Sequence, residues 1–253
     1  MQLNHYTKPL NSIESFCLSI IIPVYNEQNR ISKTLTNLTK YLDDQDYSWE
    51  IVVANDGSED NTAEQIKPYL KDIRIKLINL PHNGKGSAIQ TGMLSAKGNI
   101  RLMCDADMAM PVKHISDFIY EINEKKQDIV IGSRQISGSR RFNESPFRHL
   151  MGRIYNRWIR IFLISDYHDT QCGFKAFTAS AADKIFPLQQ LNGFGFDVEI
   201  LVIAGLKKYK SKELPIEWHH DQESKVNPLL DSISMFIDTI KIKLAFYRGK
   251  YNQ

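Results

Sequence analysis

Apolar residues recur along the first half of the chain in two alternating patterns. Short β-branched runs of strand length are each followed by a stretch in which apolar residues have helical spacing. The predicted strands are 17–24, 49–56, 73–80, 99–104 and 128–134. The predicted helices are 27–42 (with Ile31, Leu35, Leu38 and Leu42 on one face), one capped by Asp60 or Asn61 that carries Ala63, Ile66 and Leu70, one after 83–86, and one at 112–126.

Strands that alternate with helices predict βαβ units and a mostly parallel, Rossmann-like sheet flanked by helices. In such sheets ligands bind outside the carboxyl ends of the strands. Polar groups collect at five of these ends, namely 25–27, 55–58, 83–86, 105–107 and 133–134. The α/β class and a binding site at this edge are therefore predicted together.

The second half of the chain, from about residue 135, is less regular. It contains an arginine-rich stretch, a Cys-Gly turn, an aromatic-glycine segment and a long apolar helix near its end. Without repeats or a linker-like tract, the chain reads as a loose N-terminal arm at 1–15, one domain at 16–225 and a C-terminal amphipathic helix at 226–253.

The 253 residues, 42% of them hydrophobic, suffice for one sizeable core, and the net charge of +3 says little about partners. Cys17, Cys104 and Cys172 show no metal or disulfide spacing, which favours a reducing compartment. No secretory signal is visible, and no apolar run approaches the ~20 residues of a membrane span. A cytoplasmic protein, peripheral on a membrane, is the expectation.

Asp105 and Asp107 follow an apolar strand and form the sharpest chemical motif. If strand geometry persists, both carboxylates point to one side and suit a hard divalent cation, with diphosphate oxygens completing the shell. Such an ion neutralises the charge that develops on a departing nucleoside diphosphate. The alternative is an ordinary polar turn after a strand.

Two further strand ends carry candidate nucleotide ligands. Asp56, in N-D-G-S, is suited to accept the N3–H of uracil or otherwise to orient the nucleotide, although taken alone this tetrapeptide is ideal turn chemistry. Asn83-Gly84-Lys85-Gly86 resembles a phosphate loop that opens a helix, but it lacks the spacing of a P-loop. A plain strand-to-helix connection is the alternative for this segment.

Two helical segments are candidates for membrane contact. Arg153, Arg157 and Arg160 share one helical face, with Trp158 among the apolar residues between them. Such a helix suits phosphate recognition or an anionic membrane surface, and a solvated charged face is the alternative. Residues 229–247 are strongly apolar and read equally well as an interfacial anchor or as a helix packed on the core.

Together these motifs resemble the family 2 glycosyltransferases of GT-A fold, and most closely the dolichyl-phosphate β-glucosyltransferases among the polyprenyl-phosphate enzymes. The matching segments are IIPVYNE, VVANDGSEDNT, NGKGSAIQTGM, CDADM, DIVIGSR, DTQCGFKAF, GFGFDVEIL and DSISMFIDTIKIKL. They extend from about residue 18 to 247, so the resemblance covers nearly the whole chain. Ala109 stands where mannosyl enzymes often carry a metal-binding glutamine, which favours the glucosyl branch.

The resemblance implies a role for each matching position. Asp197 is expected to position groups near the acceptor rather than act as a strong base, because a lipid monophosphate is already largely ionised near neutral pH. The other implied roles are nucleoside binding by Pro23, Tyr25, Glu27 and Asp56; nucleotide and diphosphate contact by Lys85 and Asp105; Mg²⁺ or Mn²⁺ binding by Asp105 and Asp107; lipid-phosphate binding by Arg134 and Arg148; and shaping of the sugar and acceptor pocket by Gln171, Cys172, Gly173 and Lys175. Asp107, Asp197, Lys175 and Gln171 are the implied catalytic set.

The expected reaction transfers a hexose, glucose by resemblance, from a UDP-sugar to dolichyl or undecaprenyl phosphate with inversion. The expected partners are the nucleotide-sugar, the polyprenyl-phosphate lipid and the membrane surface, with no nucleic acid. Transfer to a saccharide or protein hydroxyl, nucleotidyl transfer, and sugar-nucleotide binding without catalysis are the alternatives that the residues leave open.

Overall fold

A computed structural model describes residues 16–143, 146–219 and 230–252, with the backbone alone at 16, 146–149 and 230–233. The strands are β1 (Phe16–Val24), β2 (Trp49–Asp56), β3 (Ile75–Leu80), β4 (Gly98–Met103), β5 (Ile129–Ser133), β6 (Arg140–Phe142), β7 (Lys175–Thr178), β8 (Ser211–Pro215) and β9 (Glu217–His219). The helices are α1 (Ile31–Asp43), α2 (Thr62–Ile66), α3 (Lys85–Ser95), α4 (His114–Asn123), α5 (Pro146–Phe162), α6 (Ala179–Ile185), α7 (Phe196–Leu206) and α8 (Leu230–Tyr247). The predicted arm at 1–15 and the predicted boundary at 225–226 lie outside the described residues.

The central sheet has seven strands in the order β3-β2-β1-β4-β7-β5-β8. All neighbouring pairs are parallel except those of β7, which is antiparallel to both β4 and β5. Strands β6 and β9 form a separate parallel pair. The expectation of a mostly parallel sheet flanked by helices is confirmed.

Helices cover both faces of the sheet, which explains why β1 is almost entirely apolar, with Ser19 as its one polar side chain. In β1 alternate side chains enter two separate cores. Leu18 and Ile20 pack in the core that also holds the apolar faces of α1 and α4, whereas Ile21 packs in the core with α3, α6 and α7. The predicted face of α1 (Ile31, Leu35, Leu38 and Leu42) is fully buried.

The strand order reverses direction at β1. Strands β2 and β3 extend from one side of it, and β4 begins the other side. The connections that leave the carboxyl ends of β1 and β4 therefore diverge, and they open a crevice where ligands bind in folds of this kind. Tyr25 follows β1, Asp56 ends β2 and Asp105 follows β4, so three predicted site residues lie around this crevice.

Two predicted helices differ from the structure. The helix expected to carry Ala63, Ile66 and Leu70 ends at Ile66 and continues as a 3₁₀ turn over Lys67–Lys71, which leaves Leu70 37% exposed. Pro68 accounts for this change because its ring has no N–H for an α-helical hydrogen bond. The helix expected from residue 27 begins at Ile31, after a turn in which the amides of Arg30 and Ile31 donate to the Glu27 carbonyl.

Candidate active site

A cleft of about 460 Å³ opens at the carboxyl edge of the sheet. Its lining comes from the ends of β1, β2 and β4, the start of α3 and the loop before α7. The lining residues are Pro23, Val24, Tyr25, Glu27, Arg30, Asp56, His82, Gly84, Lys85, Asp105, Ala106, Asp107, Gly193 and Phe194. Every residue that the resemblance assigns to nucleotide or metal binding is therefore in this cleft.

The acidic pair is presented by a turn rather than by a continued strand. Strand β4 ends at Met103, and the left-handed backbone of Met108 (φ 48°) reverses the chain. The Asp105 carboxylate accepts from Lys85 Nζ at 2.6 Å, and Asp107 accepts from the amide of Ala109 at 3.0 Å. Both carboxylates reach the cleft by this route, although strand geometry does not persist between them.

The two carboxyl groups differ in charge environment. Burial opposes ionisation of Asp105, but the charges of Lys85, Lys175 and Arg134 hold its pKa below the ordinary value. Burial and the neighbouring charge of Asp105 raise the pKa of Asp107 to about 6. Asp107 is therefore ionised at neutral pH at an energetic cost, in a position that a cation would relieve.

Gly173 allows the turn 171–174 to pack directly against the acidic pair. A Cβ at this position would lie 2.2 Å from Asp105 Oδ2, which is an impossible contact. Cys172 and Gly173 line a small second recess of about 30 Å³ that shares Asp105 and Asp107 with the main cleft. Gln171 donates from Nε2 to the Phe194 carbonyl at 3.5 Å, which ties this turn to the cleft wall.

One part of the cleft wall is an aromatic stack. Tyr25 and His82 stack with ring centroids 4.1 Å apart and planes 19° apart. The Asp56 carboxylate, 3% exposed, lies beside them and accepts backbone amides from Asn83 and Gly84. Elsewhere in the lining, the Glu27 carboxylate accepts from Arg30 at 2.7 Å.

His82, Gly193 and Phe194 are cleft residues that the sequence analysis did not single out. His82 follows the end of β3 and precedes the glycine loop, so the strand-edge rule already pointed to its position. Phe194 lies in the aromatic-glycine segment that was noted without a role. Its neighbour Asn192 accepts the amide of Gly86 at 2.6 Å, which fastens this loop to the start of α3.

Lys175 and Asp197 form a buried ion pair outside the cleft lining. The Lys175 ammonium, fully buried, also donates to the Cys172 carbonyl at 2.6 Å. Burial raises the pKa of Asp197, and the charge of Lys175 opposes that change. The pair joins the 172–175 turn to the first turn of α7, which is a positioning arrangement rather than a group exposed to substrate.

Arg134 is held by a second buried carboxylate. Its Nε and Nη2 donate to the two oxygens of Asp169 at 2.7 and 2.9 Å, and its amide donates to Asp169 Oδ2 at 2.9 Å. Asp169 has no exposed surface, and although burial opposes its ionisation, Arg134 lowers its pKa. The side chain of Arg148, the other expected phosphate ligand, lies outside the described residues.

Helix α5 carries a basic groove of about 450 Å³. Its lining residues are Gln135, Leu150, Arg153, Ile154, Asn156, Arg157, Arg160 and His168. The predicted cationic face is therefore formed, and the salt bridges found among the described residues include none to these three arginines. Ile154 shares this groove instead of lying on a separate apolar face.

Helices α5 and α8 pack together and leave aliphatic side chains outside. Trp158 faces inward, 3.7 Å from the Phe162 ring and 5.4 Å from the Phe236 ring. Ile242 and Ala245 of α8 belong to the core, so the C-terminal helix is partly core and partly surface. Outside the basic groove, the exposed aliphatic residues of these two helices are Ile161, Ile237, Ile240 and Leu244, which we call the outer aliphatic patch. Across the described ranges, every helix falls short of the length or the hydropathy required to cross a bilayer.

Comparison with known proteins places this chain in a family. Residues 19–186 match the model of glycosyl transferase family 2, and the chain belongs to that family of glycosyltransferases. Curated relatives named dolichyl-phosphate β-glucosyltransferase occur in Trichomonas vaginalis, at 37% identity with 91% of this chain and 72% of the relative covered, and in Saccharomyces cerevisiae, at 36% identity with 94% and 77% covered. The human protein of that name is 30% identical, with 92% and 77% covered.

A solved structure supports the fold. Glucosyl-3-phosphoglycerate synthase from Mycobacterium tuberculosis, in complex with Mn²⁺, UDP-glucose and phosphoglyceric acid, matches with a TM-score of 0.67 at 14% identity, covering 90% of this chain and 79% of that one. The GT-A architecture expected from the sequence is confirmed by this likeness.

Proposed function

We propose that this protein transfers glucose from UDP-glucose to a polyprenyl phosphate, with inversion, at a membrane surface. The observation that carries the proposal is the single cleft in which the acidic pair, Lys85 and the Tyr25–His82 stack lie together. Relatives at 30–37% identity over most of the chain are named for glucosyl transfer to dolichyl phosphate, which supports the sugar and the acceptor class.

The carboxylate ligands at the acidic pair fit one divalent cation, Mg²⁺ or Mn²⁺. Asp105 and Asp107 supply carboxylate oxygens, and within the described residues no third His, Cys, Asp or Glu joins them in a metal-binding group. Diphosphate oxygens and water would therefore complete the coordination shell. When bound, such an ion supplies charge neutralisation for the departing diphosphate. A neighbour of this fold is solved with Mn²⁺ and UDP-glucose, in keeping with this assignment.

Different residues of the cleft would bind the diphosphate, the nucleoside and the sugar of the nucleotide-sugar. Lys85 lies at the start of α3, where a point charge and a helix N-terminus favour the diphosphate. Pro23, Tyr25 and Glu27 line the nucleoside end. Cys172 and Gly173 line the small recess beside the acidic pair, and we place the sugar in the main cleft where this turn borders it. Lys175 and Asp197 hold this recess in shape from beneath.

The acceptor chemistry needs no strong base. A phosphate monoester has a second pKa near ~6 and is largely ionised at neutral pH. One of its oxygens attacks the anomeric carbon, the bond from that carbon to UDP breaks, and its electron pair goes to the diphosphate oxygen. An α-linked donor thus gives a β-linked product. The buried pairing of Asp197 with Lys175 is consistent with this route, since a hydroxyl acceptor would demand a base in contact with it.

Arg134 and Arg148 are the proposed ligands of the lipid phosphate. Asp169 fixes the Arg134 guanidinium in one orientation at the end of β5. The basic groove of α5 and the outer aliphatic patch would then hold the protein against the anionic, cytoplasmic face of a membrane. Such contact brings the site to a lipid that cannot leave the bilayer.

Incubation of the protein with Mn²⁺, a short polyprenyl phosphate and each common nucleotide-sugar tests the donor. We expect UDP-glucose to be consumed fastest, and chelation of the metal to stop its consumption. Faster use of GDP-mannose would contradict the assigned donor, and turnover in excess chelator would contradict the metal site. Release of pyrophosphate from UTP and a sugar phosphate would identify a nucleotidyltransferase instead.

A further inference from the structure

The Asp56 carboxylate already accepts several donors from the protein itself. Oδ1 accepts the amides of Asn83 and Gly84 at 2.8 and 3.1 Å, and Oδ2 accepts Gly84 at 2.9 Å. The Nδ1 atom of His82 lies 2.9 Å from Oδ2. These contacts come from three N–H donors, since the Gly84 amide is shared between the two oxygens, and Asp56 is 3% exposed. A nucleobase N–H would therefore have to reach a nearly buried carboxylate that already accepts three donors.

The same contacts fix the tautomer of His82. Its Nδ1 faces two acceptors, Asp56 Oδ2 at 2.9 Å and the Asp56 carbonyl oxygen at 3.0 Å. A nitrogen between two acceptors must carry the hydrogen, so the neutral ring has its lone pair on Nε2. Nε2 has no hydrogen-bond partner among the described residues, and the side chain is 55% exposed at the cleft wall.

The backbone after β2 packs closely against His82 and helps to fix its position. Gly57 has a φ of +67°, and a Cβ there would lie 2.7 Å from the His82 amide nitrogen. The chain after β2 can therefore pass against the loop after β3 only with glycine at this position. Tyr25 covers one face of the imidazole, and Nε2 lies on the ring edge, where a ligand in the cleft can meet it.

We propose that His82 is the nucleobase-reading residue of this cleft: its Nε2 accepts the N3–H of uracil, and Asp56 acts by orienting the imidazole. This inference rests on the proposed UDP-sugar donor. N3–H is the one ring N–H of a uridine, so a single well-placed acceptor suffices to read it. Asp56, expected from the sequence to make that contact directly, becomes a positioning residue.

A chemical double-mutant cycle tests the proposal. Binding of UDP and of 3-methyl-UDP, in which a methyl group replaces the N3 hydrogen, is measured by calorimetry with Mn²⁺ in the wild-type protein, His82→Asn and His82→Phe. The asparagine amide nitrogen replaces the Nδ1 donor to Asp56 but offers no acceptor at Nε2. The phenylalanine ring preserves the stack on Tyr25 but makes neither hydrogen bond.

Wild-type protein should bind UDP about tenfold more tightly than 3-methyl-UDP, the effect of one well-made hydrogen bond. Both variants should bind the two ligands with nearly equal affinity. Mn²⁺-pyrophosphate should bind all three proteins alike, which shows that the diphosphate end is intact.

A tenfold preference that persists in both variants would overturn the role of His82, because the N3–H would then be read by another acceptor. Equal affinity of wild-type protein for the two ligands would also overturn it, while leaving UDP as the donor nucleotide. Failure of wild-type protein to bind UDP at all would overturn the proposed donor and, with it, this inference.

Discussion

Asp107 carries an electrostatic cost that its partner Asp105 does not. Burial and the charge of Asp105 raise the pKa of Asp107 to about 6, whereas Lys85 lowers that of Asp105. A raised carboxyl pKa adds stability below its unfolded value near ~4, and that stability is lost as pH rises through about 6. A lowered pKa has the opposite sign and adds stability at neutral pH.

Asp107→Asn should therefore stabilise the ligand-free protein while it sharply reduces turnover. We expect its Tm to rise by about 2–4 °C at pH 7.5 and to match wild type near pH 4, with activity reduced by about 100-fold or more. Asp105→Asn is the matched control, and its Tm at pH 7.5 should fall because Lys85 loses its partner. Thermal melts across pH measure both, and a lower Tm for Asp107→Asn at pH 7.5 would refute the charge assignment.

Gly173 sets the distance between the 171–174 turn and the acidic pair. Gly173→Ala should reduce turnover by about tenfold or more and lower stability by about 1–3 kcal/mol, since its Cβ would displace the Asp105 carboxylate. Gly193→Ala is the control, because Gly193 also lines the cleft but a Cβ there meets nothing within 4 Å. Equal effects of the two variants in a kinetic assay would show that the close contact is unimportant.

Prediction from sequence worked at the residue scale where a strand end fixes a position. Asp56, Lys85, Asp105 and Asp107 were placed in one site because each follows or ends a predicted strand, and the structure brings them into one cleft. The pairing of Lys175 with Asp197 was not foreseen. It depends on how β7 meets α7, which is a tertiary contact with no local pattern.

At the scale of elements, local periodicity accounts for β1 to β5 and for their helices. Strand β7 escaped prediction because it is four residues long and pairs with β4 and β5, which lie far from it in sequence. Helix α8 could not be assigned to core or surface because both readings require an apolar sequence, and the structure shows that it serves both.

The outer aliphatic patch is expected to drive membrane association. Ile240→Ser with Leu244→Ser should weaken sedimentation with anionic liposomes by about tenfold or more, given the apolar area removed. Ile73→Ser with Leu94→Ser is the matched control, since these side chains are similarly exposed outside α5 and α8. UDP binding should be unchanged in both proteins. Liposome binding that is equal for the two double variants would remove the patch from the membrane contact.

At the scale of the whole molecule, Tyr251, which follows helix α8, is connected through Glu199 to a loop that leads into the cleft wall. Tyr251 is 1% exposed, and its hydroxyl donates to Glu199 at 2.8 Å. Glu199 also accepts the amides of Gln190 and Leu191, in the loop that continues to the cleft residues Gly193 and Phe194. Tyr251 thus helps to hold the loop that carries two residues of the cleft wall.

Tyr251→Phe should lower the free energy of unfolding by about 1–3 kcal/mol, because buried Glu199 loses a donor. Tyr247→Phe is the control, since Tyr247 is 73% exposed. Denaturant unfolding measures both variants. A Tyr251→Phe protein as stable as wild type would show that the tail does not brace this loop.

The central claim concerns the acceptor, and one measurement tests it most directly. The protein is incubated with UDP-glucose, Mn²⁺ and either a short polyprenyl phosphate or the matching polyprenyl alcohol, and the lipids are analysed by mass spectrometry. A hexosyl-phosphate-lipid formed from the phosphate, with no glycolipid from the alcohol, is the predicted result. Glucose transferred to the alcohol, or UDP-glucose hydrolysed in a metal-dependent way with neither lipid modified, would contradict the proposed acceptor.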